Sequence, residues 1–262
     1  MKVPETVPPL PRAVDRNRRL PASEAFVWLA KGWRDLWNVP LPSLLYGAGV
    51  ALVSILIVAG LYYLRMDYAL FPALAGFLVV GPALATGLYE KSRRLEAGLP
   101  VTLASMIRPE PGTGQHVLFV GAILCTLMLA WMRAAVLLYA LFAGWQPFRG
   151  LDQIVPMLFG TPMGWALLSV GTVVGALFSA FAFAISVFAI PMVVATKSDA
   201  FTAMGTSISL AWNNLPVMLT WGAIVLVLTI ASLVTGMVGF VISFPLLGHA
   251  TWHAYQTIRD RD

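Results

Sequence analysis

The chain has 262 residues, of which 59% are apolar and only 11% charged, and its net charge is +5. Soluble domains carry about 25% charged residues, so this composition cannot clothe a water-facing surface, and the surplus apolar area must face lipid. A single cysteine, Cys125 inside an apolar run, excludes an intrachain disulfide and a thiolate metal site. The basic excess reads as cationic flanks of membrane spans, with no nucleic-acid partner implied.

The first 22 residues are rich in proline and arginine (Pro4, Pro8, Pro9, Pro11, Arg12, Arg16, Arg18, Arg19), with no apolar stretch or cleavage site behind them. They read as a disordered cytoplasmic tail rather than a signal peptide. From Ser23, expected to cap a helix, to Asn38, the residues Phe26, Leu29, Ala30, Trp33, Leu36 and Trp37 recur on one helical face, and Glu24, Lys31, Arg34 and Asp35 occupy the other. This pattern predicts an amphipathic helix lying in the cytoplasmic interface and leading through Pro40 and Pro42 into the membrane. Trp28 falls on its polar face, where a protein partner would explain it.

A bilayer core about 30 Å thick needs about 20 apolar residues per helix. The pattern places membrane spans at about 43–64, 69–89, 115–141 and 164–195, with the fourth bent at Pro191. The last apolar stretch, 215–255, would be about 60 Å long as one helix at about 1.5 Å per residue, so it folds back near Gly236 and Gly239 into spans at 215–235 and 238–256. The expectation is an all-α, polytopic helical bundle of six transmembrane helices over 23–258, with a short cytoplasmic tail at 259–262. With the N-terminus inside, fourteen basic residues fall on cytoplasmic segments and only Arg65 and Arg149 fall outside. Both termini are therefore expected in the cytoplasm. Tyrosine and tryptophan near the span ends fit interfacial belts: Trp37, Tyr46, Tyr89, Trp212 and Trp252 inside, and Tyr62, Tyr63, Tyr68, Trp145 and Trp165 outside.

The chain also resembles itself. At an offset of 175, eight of 26 positions are identical, among them Ala25-Phe26 with Ala200-Phe201, Trp37-Asn38 with Trp212-Asn213 and Gly47-Ala48 with Gly222-Ala223. Spans two and six share Phe-x4-Pro-x-Leu, at Phe77 to Leu84 and Phe240 to Leu247, and Pro191 holds the corresponding place in span four. The expected unit is a cytoplasmic interfacial helix followed by a hairpin whose second member carries a proline. A degenerate middle copy would span about 102–195.

Trp28 to Leu36 (WLAKGWRDL), Leu45-Tyr46-Gly47, Gly81-Pro82-Ala83 and Gly87 to Glu96 (GLYEKSRRLE) are similar to a domain-of-unknown-function family of six-span proteobacterial inner-membrane proteins. The resemblance covers most of the chain after about residue 22. It implies a bacterial inner membrane, six helices and no established activity. Some members are loosely labelled cytochrome oxidase subunit I, but a haem-copper catalytic subunit needs more histidines than the three of this chain.

His116, His249 and His253 map to cytoplasmic helix ends. His249 and His253, four apart on one face, are the only pair spaced for a metal or a haem edge, yet no Asp, Glu or Cys at ligand spacing joins them, so they read as polar residues closing a helix end. No cofactor is expected. Arg133, the one charge inside a span, lies near enough to the outer interface to snorkel. Gly171, Gly175 and Ser179 form a small-residue stripe, read as a helix-packing face. Pro82, Pro191 and Pro245 read as kinks within packed helices. The run Lys91 to Arg94 reads as contact with anionic lipid at the cytoplasmic face. No nucleophile motif or phosphate loop is present, and no carboxylate lies within a span. The chain is therefore expected to be a non-enzymatic accessory, assembly or scaffold component of a membrane complex, with a membrane-protein partner or a second copy beside it. The alternative is a carrier or channel for a small neutral or lipidic solute.

Overall fold

The computed structural model describes residues 16–66, 69–108, 113–144 and 151–259, all of them in helices and the turns between them. Tyr68, Trp145 and Arg149, expected outside, fall beyond the described residues. In chain order the helices are α1 (Glu24–Trp37), α2 (Pro40–Tyr63), α3 (Leu70–Leu84), α4 (Thr86–Glu96), α5 (Leu103–Ile107), α6 (Thr113–Ala143), α7 (Leu151–Gly160), α8 (Pro162–Ser186), α9 (Ala189–Thr196), α10 (Ala200–Asn213), α11 (Leu215–Val234) and α12 (Phe240–Ile258).

Helix starts follow local chemistry. Prolines at the first turn of α2, α8 and α11 give up an N–H that has no partner there anyway. Thr161 and Asp199 cap α8 and α10 by accepting from Gly164 N at 2.9 Å and Thr202 N at 3.0 Å. Ser23, by contrast, makes no side-chain cap to α1. The fold-back between α11 and α12 lies where glycine spacing placed it: Gly236 and Met237 take left-handed backbone at φ 63° and 70°, and Ser232 and Ser243 hydroxyls join the two helices at 2.6 Å.

Four stretches are long and apolar enough to cross a membrane: Pro40–Tyr63, Thr113–Ala143, Pro162–Thr196 and Leu215–Val234. Most of their residues are not buried; in the most apolar part of α2 only 11% are. Such surfaces suit hydrocarbon rather than water. The other two expected spans fall short of that standard. α3 has 15 residues before a break at Ala85, and the second half of α12 carries His249, His253 and Gln256.

α12 forms the axis of one half of the bundle, packed by α1, α2, α4 and α11, while α6 packs on α3 and α8. Each short helix lies against a proline-bearing helix or its continuation: α1 on α12, α5 on α4, and α10 on α8 and α9. α1 and α10 match in length and in burial. Ala25, Trp28, Gly32 and Leu36 are buried in one, and Ala200, Ala203, Ser207 and Ala211 at an offset of 175 in the other. Phe26, Trp33 and Trp37 face outward at 59%, 47% and 49% exposure, as do Phe201, Ile208 and Trp212.

Two sequence expectations change here. Trp28 does not face outward: it is fully buried, edge-to-face with Trp221 at a centroid distance of 6.0 Å. Helix α1 has two apolar faces, and the one carrying Ala25, Trp28, Gly32 and Leu36 packs on the bundle because Gly32 lets it approach. A Cβ at Gly32 would sit 2.6 Å from the Ala250 nitrogen. Residues 16–20, expected within a disordered tail, are docked. The amide of Asn214 donates to Arg16 O at 2.8 Å and its oxygen accepts from Arg18 N at 2.9 Å. The Arg18 guanidinium caps α12 through the carbonyls of Ile258 and Arg259, both at 3.0 Å.

Candidate functional site

Two features concentrate the chemistry of the chain, a buried polar chain at one end of the bundle and an apolar cavity along its side.

The polar chain joins α1, α2, α4 and α12. Lys91 donates to Val39 O at 2.9 Å and to Ser43 Oγ at 2.7 Å. Ser43 Oγ lies 2.9 Å from His249 Nε2, and His249 Nδ1 lies 2.8 Å from Ser92 Oγ. Ser92 donates to Asp35 Oδ2 at 2.6 Å. His253 Nε2 reaches the same oxygen at 2.9 Å, and its Nδ1 lies 3.6 Å from Glu96 Oε1. Donor direction is settled by the ends. The ammonium can only donate and Asp35 only accept, so Ser43 gives its proton to Nε2 and a neutral His249 donates from Nδ1 to Ser92. Every link from Lys91 to Asp35 then runs one way, which makes each bond polarise the next.

Ser43, Lys91, Ser92 and His249 are fully buried. Burial drives the Lys91 amine down to about 8, against which the Asp35 charge acts only in part. For Asp35, desolvation opposes the charge, but hydrogen bonds from His253 and Ser92 overcome it, and the carboxyl stays below its ordinary value. Val39, whose carbonyl receives Lys91, is β-branched yet adopts φ 58°. Such a conformation costs about 1–3 kcal/mol and persists only where surroundings impose it, and Lys91 is the contact that holds this corner between α1 and α2.

His249 is thus not a polar residue closing a helix end, whereas His253 lies in the last turns of α12. Both ring nitrogens of His249 are engaged by serine hydroxyls, and the carboxylates missing from α12 arrive at His253 from α1 and α4. Among the described residues no three His, Cys, Asp or Glu side chains converge as a metal site would. His116 lies apart from the other two histidines, near exposed Asp199. The run Lys91 to Arg94 is not a free basic patch either. Lys91 is internal, and Arg93 and Arg94 both clasp the carboxylate of buried Glu90, at 2.8 and 2.6 Å.

The cavity, about 1300 Å³, lies between α6, α7 and α8 on one side and α10 and α11 on the other, and its wall is overwhelmingly apolar. Trp131, Gly171, Gly175, Met218 and Gly222 line it, with no charged residue among its walls. The small-residue stripe of α8 is shared between the contact with α6 and the cavity wall. A Cβ at Gly171 would meet nothing within 4 Å, and Gly175 receives the Trp131 ring at 2.9 Å. Arg133 is exposed on α6, outside the cavity. Pro82 and Pro245 sit inside α3 and α12 without interrupting them, while Pro191 follows a real break at residues 187–188.

Residues 70–195, just under half of the chain, match a family described as "Predicted integral membrane protein (DUF2189)". No curated protein and no solved structure matches.

Proposed function

We propose that this chain is a six-span, non-enzymatic protein of a bacterial inner membrane, with both termini in the cytoplasm, that carries a lipidic solute. The observation that supports the function is the apolar cavity between α8 and α11, at the depth of three membrane-crossing helices and without a charged group in its wall. Such a wall suits hydrocarbon and penalises ions and polar solutes.

The six-span reading is supported by where the short helices end. Tyr46 near the start of α2 donates to Leu84 O at the end of α3 at 2.7 Å, so α3 returns the length of α2. Likewise α12 starts beside the far end of α11, through Ser232 and Ser243, and reaches Ser43 at the near end of α2 through His249. The non-enzymatic reading is supported by the full burial of Ser43 and His249, which leaves hydroxyl and imidazole no opening onto a substrate.

The accessory or scaffold reading is second. One of its supports, an outward Trp28, now counts for another role, and the stripe on α8 is shared with the cavity wall. It keeps the exposed stripe Phe26, Trp33 and Trp37.

Purification in mild detergent followed by mass analysis of retained phospholipid and protein tests the two. The expected result is retained lipid in the wild type and its loss in Gly222→Leu, which fills the cavity. A stoichiometric protein partner without retained lipid would favour the scaffold.

A further inference from the structure

Two neighbouring helix pairs of the bundle close against one another and a third does not. α2 lies along α12 and α6 along α3, each first span of a hairpin against the proline-bearing helix of the hairpin before it, with α12 and α2 joining the last to the first. By the same order α11 belongs against α8, yet these two make no comparable contact. A Gly-Ala pair marks the equivalent point in each first span: Gly47-Ala48, Gly121-Ala122 and Gly222-Ala223. A Cβ on Gly47 would collide with the carbonyl of Val241 and lie 2.9 Å from the Pro245 ring; on Gly121 it would touch Ala83 at 3.8 Å. On Gly222 it would meet nothing within 4 Å. The cavity occupies this third seam.

The seam is open because its proline-bearing helix is broken. Pro191 has no N–H to offer the carbonyl four residues back, at Val187. One residue further on, the Ser207 hydroxyl of α10 enters the backbone ladder. It donates to Ala184 O at 2.7 Å and accepts from Phe188 N at 3.1 Å, taking the place of the helical bond between those two groups. Past the break, α9 packs against α4, α6 and α12, with Ile190 and Val193 fully buried. Removing the Ser207 hydroxyl would let Phe188 N return to Ala184 O. Gly171 leaves room for α11 to approach, since a Cβ there would meet nothing within 4 Å, while the Trp131 ring covers Gly175. Re-forming the bond between Phe188 N and Ala184 O would give the element a second packing, the usual basis of a gate.

We propose that the α8–α11 seam is a lateral gate for the acyl chain of a bilayer lipid, held open by Ser207. The proposal rests on the cavity being a lipidic site and adds what governs it. A partner's transmembrane helix, or one from a second copy, fits less well. Ile154 and Leu158 of α7, which precedes α8, and Ile208 and Trp212 of α10, beside its far end, contribute to the wall. A spanning helix must emerge into water at both faces, whereas an acyl chain need not.

The test uses the full chain with Cys125→Ser, cysteines at Ser179 and Gly222 for oxidative crosslinking, and single variants without them for phospholipid retained per protein. Ser207→Ala is expected to raise crosslinking severalfold and lower retained lipid, and Ser207→Thr to restore both. Lipid held by the wild type and lost in Gly222→Leu, with Ser207→Ala unchanged in both readouts, overturns the gate and leaves the lipid site. No lipid in the wild type overturns the site itself. If Ser207→Ala fails to fold, Pro191→Ala, which returns a donor to Val187 O, takes its place with the same expected direction.

Discussion

Lys91 shows how a single side chain can hold a corner of a membrane protein at a cost. Its ammonium rests on a carbonyl and a hydroxyl, 2.9 and 2.7 Å away, rather than on a carboxylate. Burial makes the charged form unfavourable, and the folded amine gives up its proton near pH 8. The unfolded chain keeps that proton up to the ordinary value of 10.5. Between these limits the unfolded state binds more protons, so stability rises with pH across the window, while below pH 8 both states are charged and the full penalty stands. The thermal midpoint of the purified wild type is expected to climb between pH 8 and 10 relative to Lys91→Met. A slope that survives in Lys91→Met would place the titration elsewhere. Little of this chain of groups was legible in the sequence. Its links join residues 48, 206, 157 and 57 positions apart, and no periodicity announces a contact that only tertiary packing makes. The one trace was the pair His249 and His253 on a common face; the partners they needed, Asp35 and Ser92, lay on other helices.

At the scale of the helix, the reading from sequence succeeded where one physical quantity dominates. Apolar run length fixed the four longest spans to within a few residues, because hydrocarbon thickness sets that length whatever the neighbours are. It did less well where two quantities compete. Helix α1 has one apolar stripe of Phe26, Trp33 and Trp37 and a second, Ala25, Trp28 and Leu36, around Gly32. Size points to the first as the buried face, but close approach of backbones selects the second. Gly32→Leu is expected to lift α1 from α12, since even a Cβ there would lie 2.7 Å from that of Ala250. Trypsin acting on the detergent-solubilised protein should then cut after Lys31 or Arg34 much faster than in the wild type. Equal cleavage rates would show that α1 is held by its ends alone. The break in the fourth span was legible through Pro191 but falls three to four residues earlier, where the missing N–H leaves its gap. Ser207 was not, since a serine in a helix gives no sign that its hydroxyl enters a neighbour's ladder.

For the whole molecule, what remains to be separated is the number of crossings. The contacts of Arg18 with the carbonyls at the end of α12 put residue 18 and residues 258–259 at the same end of the bundle, which demands an even number of passes. Four and six both satisfy that demand, so a reporter at the C-terminus alone cannot discriminate. The difference lies in α3. Its 15 residues rise only about 22 Å at about 1.5 Å per residue, short of the hydrocarbon thickness. Continuation into α4 past the break at Ala85 adds the missing length; Tyr46 ties the end of α3, and Lys91 ties α4, to the start of α2. If α3 crosses, Arg65 and Gly98 lie on opposite sides of the membrane; if it does not, they share one side. Single cysteines at these two turns, in a Cys125→Ser background, are expected to separate under a membrane-impermeant maleimide applied to intact spheroplasts: position 65 labelled, position 98 labelled only after lysis. Labelling of both before lysis would reduce the count to four. It would also remove α3 from the set of closed seams against which the α8–α11 opening is recognised.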